Sequence, residues 1–211
     1  MTPRKIHKIA GLILVLPFIG WIITGLIFLT KPGYDGAYQQ IAPKVYPIEQ
    51  GFTVNTQPGW LELNIKRTIL GYHLLVKQGS ETHHLNAQNL AIFPQPSESD
   101  IILLLEDAIA INRERYGIIS PNNTERHSQG LNSTYVTTTG VELTLDWNTL
   151  SIRQRGLDTK IINTLYKIHY LQWLGQRQIN LALGVLGLLG LTLLVYYGVV
   201  IVVKGNKHRR V

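Results

Sequence analysis

The histidines are the side chains whose type and spacing could do the most chemistry. Imidazole ligates metals and changes charge near neutral pH. His73 precedes the adjacent pair His83 and His84. Neighbours on a strand point to opposite faces, so His83 and His84 cannot share an ion. His73 can meet one of them across a hairpin. His7 and His169 stand differently, each close to the margin of a long apolar run. They read as interfacial side chains facing headgroups. Glu106, Asp107 and Glu114 could do acid–base work. No nucleophile, oxyanion donor or glycine-rich phosphate loop accompanies them, and Ser133 and Ser151 lack a His/Asp setting, so a solvated helix face is the expected reading. There is no cysteine. That excludes covalent c-type haem, disulfide frameworks and thiolate-bound zinc or iron–sulfur clusters.

The elements that must position these groups follow from hydropathy. Only 16% of the 211 residues are charged, against roughly 25% in an average globular chain. Residues 9–30 and 181–203 carry no charge at all, and each run exceeds the roughly 20 residues a helix needs to cross hydrocarbon. The net charge of +7 sits beside these runs, in Arg4, Lys5 and Lys8 before the first and Lys204, Lys207, Arg209 and Arg210 after the second. This is the positive-inside pattern, and it puts both flanks in the cytoplasm. It also removes the nucleic-acid reading that a basic chain invites. The first run is longer than a signal-peptide core and lacks a small-x-small site after it, so a permanent anchor is expected. Neither run holds an ionisable residue, which argues against an ion path. Gly20 and Thr24 in the first run, with Gly184, Gly187 and Gly190 in the second, suit close helix–helix packing.

Between the runs the period changes. Residues 31–58, rich in Pro, Gly and Gln, read as an extended lead-in with one short helix around 35–41. Leu61, Leu63 and Ile65 alternate with polar neighbours as in a half-buried strand, and Tyr72, Leu74 and Val76 continue that period. A turn at Gln78-Gly79-Ser80 returns the chain through 82–85, and a short strand is expected at 90–93. Ser97 or Ser99 caps a helix whose apolar face is Ile101, Leu104, Leu105, Ala108 and Ile111. Strand period resumes from Ser133 through Leu145. An internal repeat sets residues 84–92 against 144–152, with Leu85, Asn86, Leu90 and Ile92 answering to Leu145, Asp146, Leu150 and Ile152. It describes strand, Asx turn, strand, so two three-stranded meanders with a helix between them are expected. Residues 159–173 then form an amphipathic helix with Ile161, Ile162, Leu165 and Ile168 on one face. Its Tyr166, Tyr170 and Trp173 are the aromatics a membrane interface selects.

Two stretches carry a family resemblance. Arg4-Lys5-Ile6-His7-Lys8-Ile9-Ala10-Gly11-Leu12, followed by Pro17 and Thr24-Gly25, resembles the first span of PepSY-associated transmembrane proteins, where a basic-x-His motif enters the membrane. Residues 145–150, followed by Leu165-Tyr166-Lys167-Ile168-His169, are similar to that family's strand–turn–strand and the Leu-x-x-x-His helix before its closing span. The resemblance covers nearly the whole chain. It implies an α+β membrane protein in which two transmembrane helices flank a PepSY-like extracytoplasmic domain of two β-meanders and a helix. The segments are a basic cytoplasmic tail (1–8), a span (9–30), a periplasmic domain (31–157), a juxtamembrane amphipathic helix (158–180), a span (181–203) and a second basic tail (204–211). The setting is a bacterial inner membrane.

Reductase members of that family, acting on siderophore iron or with flavin, commonly carry four or more spans, and this chain has two. The first expectation is therefore a non-catalytic accessory or assembly subunit without cofactor. Its partners would be membrane lipid and a larger membrane complex, a periplasmic protein or copies of itself. The alternative implied by the resemblance is an electron-transfer component for ferric reduction, with His7 and His169 as axial ligands of b-type haem. A whole bilayer separates them, so they cannot clamp one haem.

Overall fold

The structure, a computed structural model, describes residues 2–49, 51–120 and 132–208. The chain divides into two compact units, one combining residues 1–34 with 160–211 and the other Asp35–Thr159. The architecture is α+β, with two long apolar helices near the ends of the sequence and a small sheet unit between them.

In the helical unit, α1 (Pro3–Thr30) begins at an N-cap, Thr2, with Pro3 in its first turn, where a missing N–H costs nothing. It ends at Lys31 in the left-handed region, φ 48°. The closing helix (Arg177–His208) is longer, 32 residues against 28. Both extend beyond the expected spans 9–30 and 181–203, because backbone hydrogen bonding carries each helix on into the flanking cations. Both are long and apolar enough to cross a membrane. Apolar side chains stand exposed all round them, among them Leu12, Ile22 and Leu29 on one and Leu181, Leu188 and Val195 on the other. Such a surface suits lipid rather than water.

In the sheet unit, after the one-turn α2 (Tyr34–Ala37), strands β1 (Trp60–Thr68), β2 (Gly71–Gln78) and β3 (Glu81–Asn86) form an antiparallel meander in that order. Helix α3 (Glu98–Ile109) follows, started by a capping box in which Ser97 and Asp100 satisfy each other's backbone N–H. A 3-10 turn (Ala110–Asn112) and the single turn α4 (Arg113–Tyr116) complete the crossover. A second antiparallel meander is built from β4 (Asn132–Val136), β5 (Glu142–Asp146) and β6 (Ser151–Arg155). The core joins α3 to both sheets through Leu75, Leu104, Leu105, Tyr135, Leu143, Leu145 and Ile152. A smaller cluster around Leu74, Val76 and Ala87, covered by Phe52 and Val54, fills the other face of β2. β2 is thus buried on both faces. Leu74-Leu75-Val76 is a continuous buried run rather than a simple alternation.

The two halves of the repeat fold alike. Asn86 Oδ1 accepts the Gln88 N–H at 2.8 Å, and Asp146 Oδ1 accepts that of Asn148 at 3.0 Å. Leu90 and Leu150 are both left-handed, at φ 60° and 48°, a conformation that costs a non-glycine residue about 1–2 kcal/mol. Burial of Leu150 in the main core and packing of Leu90 on the smaller cluster offset it. Leu85 then faces Ile92 in an isolated bridge, as Leu145 faces Ile152 in the ladder. The short strand expected at 90–93 is that single bridge.

Several expectations are corrected. Leu61 and Leu63 alternate as a strand should, yet Leu61 is 69% exposed. The register slips between Trp60 and Glu62, and this end of an edge strand lies outside the covered part of the sheet. Ile111 is 81% exposed, because α3 tightens into the 3-10 turn at Ala110 and rotates it off the apolar face. The helix expected over 159–173 is α5 (Leu157–His169). It stops because Leu171 turns left-handed at φ 55°. Ile162 is buried on it, but Ile161 is 52% exposed. With the helix numbered α5, the closing helix Arg177–His208 is α6.

Candidate functional site

The sheet unit holds a buried pair of histidines. His84 lies opposite Leu75 in the β2–β3 ladder, and His73 is two residues back along β2, so both rings stand on the face that looks toward α3 and the second meander. His73 is fully buried and His84 nearly so. Their nitrogens form an unbroken chain: Thr68 Oγ1 to His73 Nε2 at 2.7 Å, His73 Nδ1 to His84 Nε2 at 2.9 Å, and His84 Nδ1 to the Trp147 carbonyl at 2.7 Å. Phe93 stacks on both rings, at 4.6 and 4.9 Å, and Trp147 lies edge-on to His73 and tilted against His84.

A carbonyl only accepts, so the tautomers follow from one end of the chain to the other. His84 Nδ1–H donates to Trp147 O, which leaves His84 Nε2 to accept from His73 Nδ1–H. His73 Nε2 then accepts from the Thr68 hydroxyl, whose oxygen takes the Leu70 N–H at 3.1 Å. Every nitrogen of both rings is engaged with both rings neutral. Burial lowers the His73 pKa to about 4, helped by the His84 ring and by Lys66. Burial also lowers that of His84, opposed in part by its bond to Trp147. The arrangement staples the first meander to the Asx turn of the second. No lone pair is left for a metal, and among the described residues no three potential ligands gather around one point. His83, on the opposite face, takes no part.

His169, at the end of α5, meets α1. Thr24 is 1% exposed, and its hydroxyl donates to the Gly20 carbonyl at 2.6 Å, so His169 Nδ1–H donates to Thr24 Oγ1 at 2.8 Å. Trp21 Nε1–H returns to the His169 carbonyl at 2.7 Å. Phe28 lies edge-on to the ring at 5.1 Å and stacks on Tyr166. His7 is bound likewise at the far end of α1, its Nδ1–H donating to the Leu194 carbonyl of α6 at 3.0 Å. Among the described residues neither Nε2 makes a hydrogen bond. Between His7 and Thr24 run 17 residues of helix, about 25 Å at 1.5 Å per residue, so the two histidines serve separate places. Replacing Thr24 with Val, which matches it in shape, should strand His169 Nδ1–H and lower the thermal stability of the detergent-solubilised protein by about 0.5–2 kcal/mol.

The glycines divide. A Cβ on Gly190 would meet Leu14 at 3.4 Å, one on Gly187 would meet Leu171 at 3.0 Å and Trp21 at 3.9 Å, and one on Gly20 would meet Ile168 at 3.4 Å. These positions let α1, α5 and α6 approach. Gly184 was expected among them and is corrected: nothing lies within 4 Å of its Cβ position. It lines an open cavity instead.

The carboxylates of α3 are not a solvated face either. Tyr46 of the lead-in donates its hydroxyl to both oxygens of Asp107, at 2.8 and 3.0 Å, and Glu106 pairs with Arg113 and accepts the Ile119 N–H. Both carboxylates tie loops to the helix, whereas Glu114 is exposed. Thr68, Phe93 and Trp147 were missed from sequence. The signal available was the position of His73 and Leu75 in β2, between the residues of the expected apolar face. Comparisons with protein families, with curated proteins and with solved structures yield no match to this chain.

Proposed function

We propose that the chain is a two-pass subunit of a bacterial inner membrane, with a PepSY-like domain held in the periplasm and the basic flanks in the cytoplasm. Its role is non-catalytic: an accessory or assembly subunit for a larger membrane complex or a periplasmic partner. The observation that supports this is the use of its polar side chains. His73, His84, Thr24, Glu106 and Asp107 each hold one element of the chain to another, while large apolar side chains stand exposed on both units. Native mass spectrometry after extraction in mild detergents should find a stable hetero-complex or homo-oligomer. A strict monomer in every mild detergent would overturn the reading. Alkaline phosphatase fused at Ser120 should be active and, fused after Lys204, silent. The reverse would overturn the orientation.

A second reading has one observation in its favour. His169 and His7 each direct Nδ1–H into the protein and keep Nε2 free, the orientation in which a histidine ligates a b-type haem. Each place supplies one axial nitrogen, so the second ligand would come from a partner. The haem would bring one-electron transfer. A pyridine haemochrome assay on the complex tests it, with stoichiometric haem expected and loss of that haem in His169→Ala.

A further inference from the structure

A cavity of about 1150 Å³ opens on the helical unit where α5 gives way to α6. Its rim is polar and cationic, with Lys167, Gln172 and Arg177, and no Asp or Glu lines it. Among the described residues neither Lys167 nor Arg177 has an acidic partner. From that rim the wall continues down α6 as Leu181, Val185, Leu188 and Leu191. Residues 181–191 rise about 15 Å, the depth of one hydrocarbon leaflet. The gap at Gly184 deepens the groove, and Trp21 and Leu171 close its back. The mouth is tied in place: Asn180 accepts the Leu174 N–H at 3.0 Å and donates to the Leu174 carbonyl at 2.5 Å. Leu171, turned left-handed, is buried against Gly187.

We propose that this cavity is a binding site for one phospholipid with an anionic headgroup. The phosphate sits between Lys167 and Arg177, and one acyl chain runs along residues 181–191. A cationic rim above an apolar channel one leaflet deep matches an anionic amphiphile in charge and in length. A zwitterionic lipid brings a cation of its own beside the phosphate and so gains less from the two basic groups, and a water-soluble anion would leave the channel unfilled. The site deepens the membrane-subunit reading and rests on its assignment of α1 and α6 as spans.

The test uses the full chain, delipidated in mild detergent and titrated with phosphatidylglycerol or phosphatidylcholine under native mass spectrometry. Each basic group near an anionic headgroup contributes about fivefold, so the two together give a preference for phosphatidylglycerol of about thirtyfold. The double variant Lys167→Gln, Arg177→Gln should reduce that preference to within about twofold. Gly184→Leu, which fills the groove where nothing lies close, should remove binding of both lipids while circular dichroism stays unchanged and the melting transition is not lowered. Equal retention of the two lipids would overturn the proposal, as would a preference that survives the double variant. It would also fall if inorganic phosphate displaced phosphatidylglycerol, or if Gly184→Leu released a bound polypeptide or haem instead of lipid. A lipid-selective monomer would defeat the subunit reading alone, and a stable complex without lipid selectivity would defeat this inference alone.

Discussion

Lowering the pH from 6.5 to 4 should remove about 3 kcal/mol from the stability of the sheet unit, the equivalent of about 2.5 pKa units at 1.36 kcal/mol each. The sign comes from His73, whose pKa falls from 6.5 to about 4 on burial. Above pH 6.5 the ring is neutral whether the chain is folded or unfolded, so its network contributes in full. As the pH falls, the unfolded chain takes up the proton first and stability declines. The decline ends near pH 4, where the folded state is protonated too. Protonation also breaks the order of the relay, because His73 Nε2 then carries a hydrogen and donates to Thr68 Oγ1, so the Thr68 hydroxyl must turn away. Hydrogen exchange at the β2 and β5 amides of the full-length protein reads the effect directly. His73→Phe should flatten the pH dependence, while lowering stability at neutral pH by about 1–3 kcal/mol through the unpaired His84 Nε2 and Thr68 hydroxyl. A pH dependence unchanged in that variant would refute the assignment.

Gly187→Leu should destabilise the helical unit by about 1–3 kcal/mol, and Gly184→Leu, one turn away, should not. The difference lies in what each position faces. A Cβ at Gly187 would stand 3.0 Å from Leu171 before any further atoms are added, with the Trp21 ring behind it. Leu171 cannot move freely, because its left-handed backbone is held by its burial. Trp21 cannot move either without releasing the His169 carbonyl. The added side chain therefore forces α6 away from α1 or undoes the turn that ends α5. At Gly184 the same side chain enters open space, and replacing glycine within a helix favours the helix. Thermal unfolding of the two variants in one detergent checks the contrast. Equal losses would refute the assignment of the effect to the contact at Gly187.

Much of the fold was legible in the sequence. The two charge-free runs, a cap at Ser97 or Ser99, the turn at Gln78-Gly79-Ser80 and the repeat of residues 84–92 in 144–152 are all local patterns, and local patterns settle helix, strand and turn. Periodicity describes one face of an element and carries no record of what covers the other. For that reason Leu61 and Leu63 looked buried and are exposed, and the carboxylates of α3 looked solvated and are bound to Tyr46, Arg113 and Ile119. The repeat predicted two Asx turns, but not that the carbonyl of the second would receive a histidine from the first.

The sequence by itself determined two long apolar helices, the basic flanks beside them and two meanders around a helix, because hydropathy, charge and turn chemistry act within a few residues. Only the tertiary structure decided which histidines meet. His73 and His84 face each other because a hairpin register brings residues 11 apart to diagonal positions. His169 reaches Thr24 across 145 residues of chain because Gly20 and Gly187 admit the close approach of three helices. It also decided that Gly184 borders a cavity while Gly187 is filled. One step of three residues along α6 turns a side chain by about 60° from its neighbour's direction. Whether the space there is occupied depends on Leu171 and Trp21, residues from two other segments of the chain.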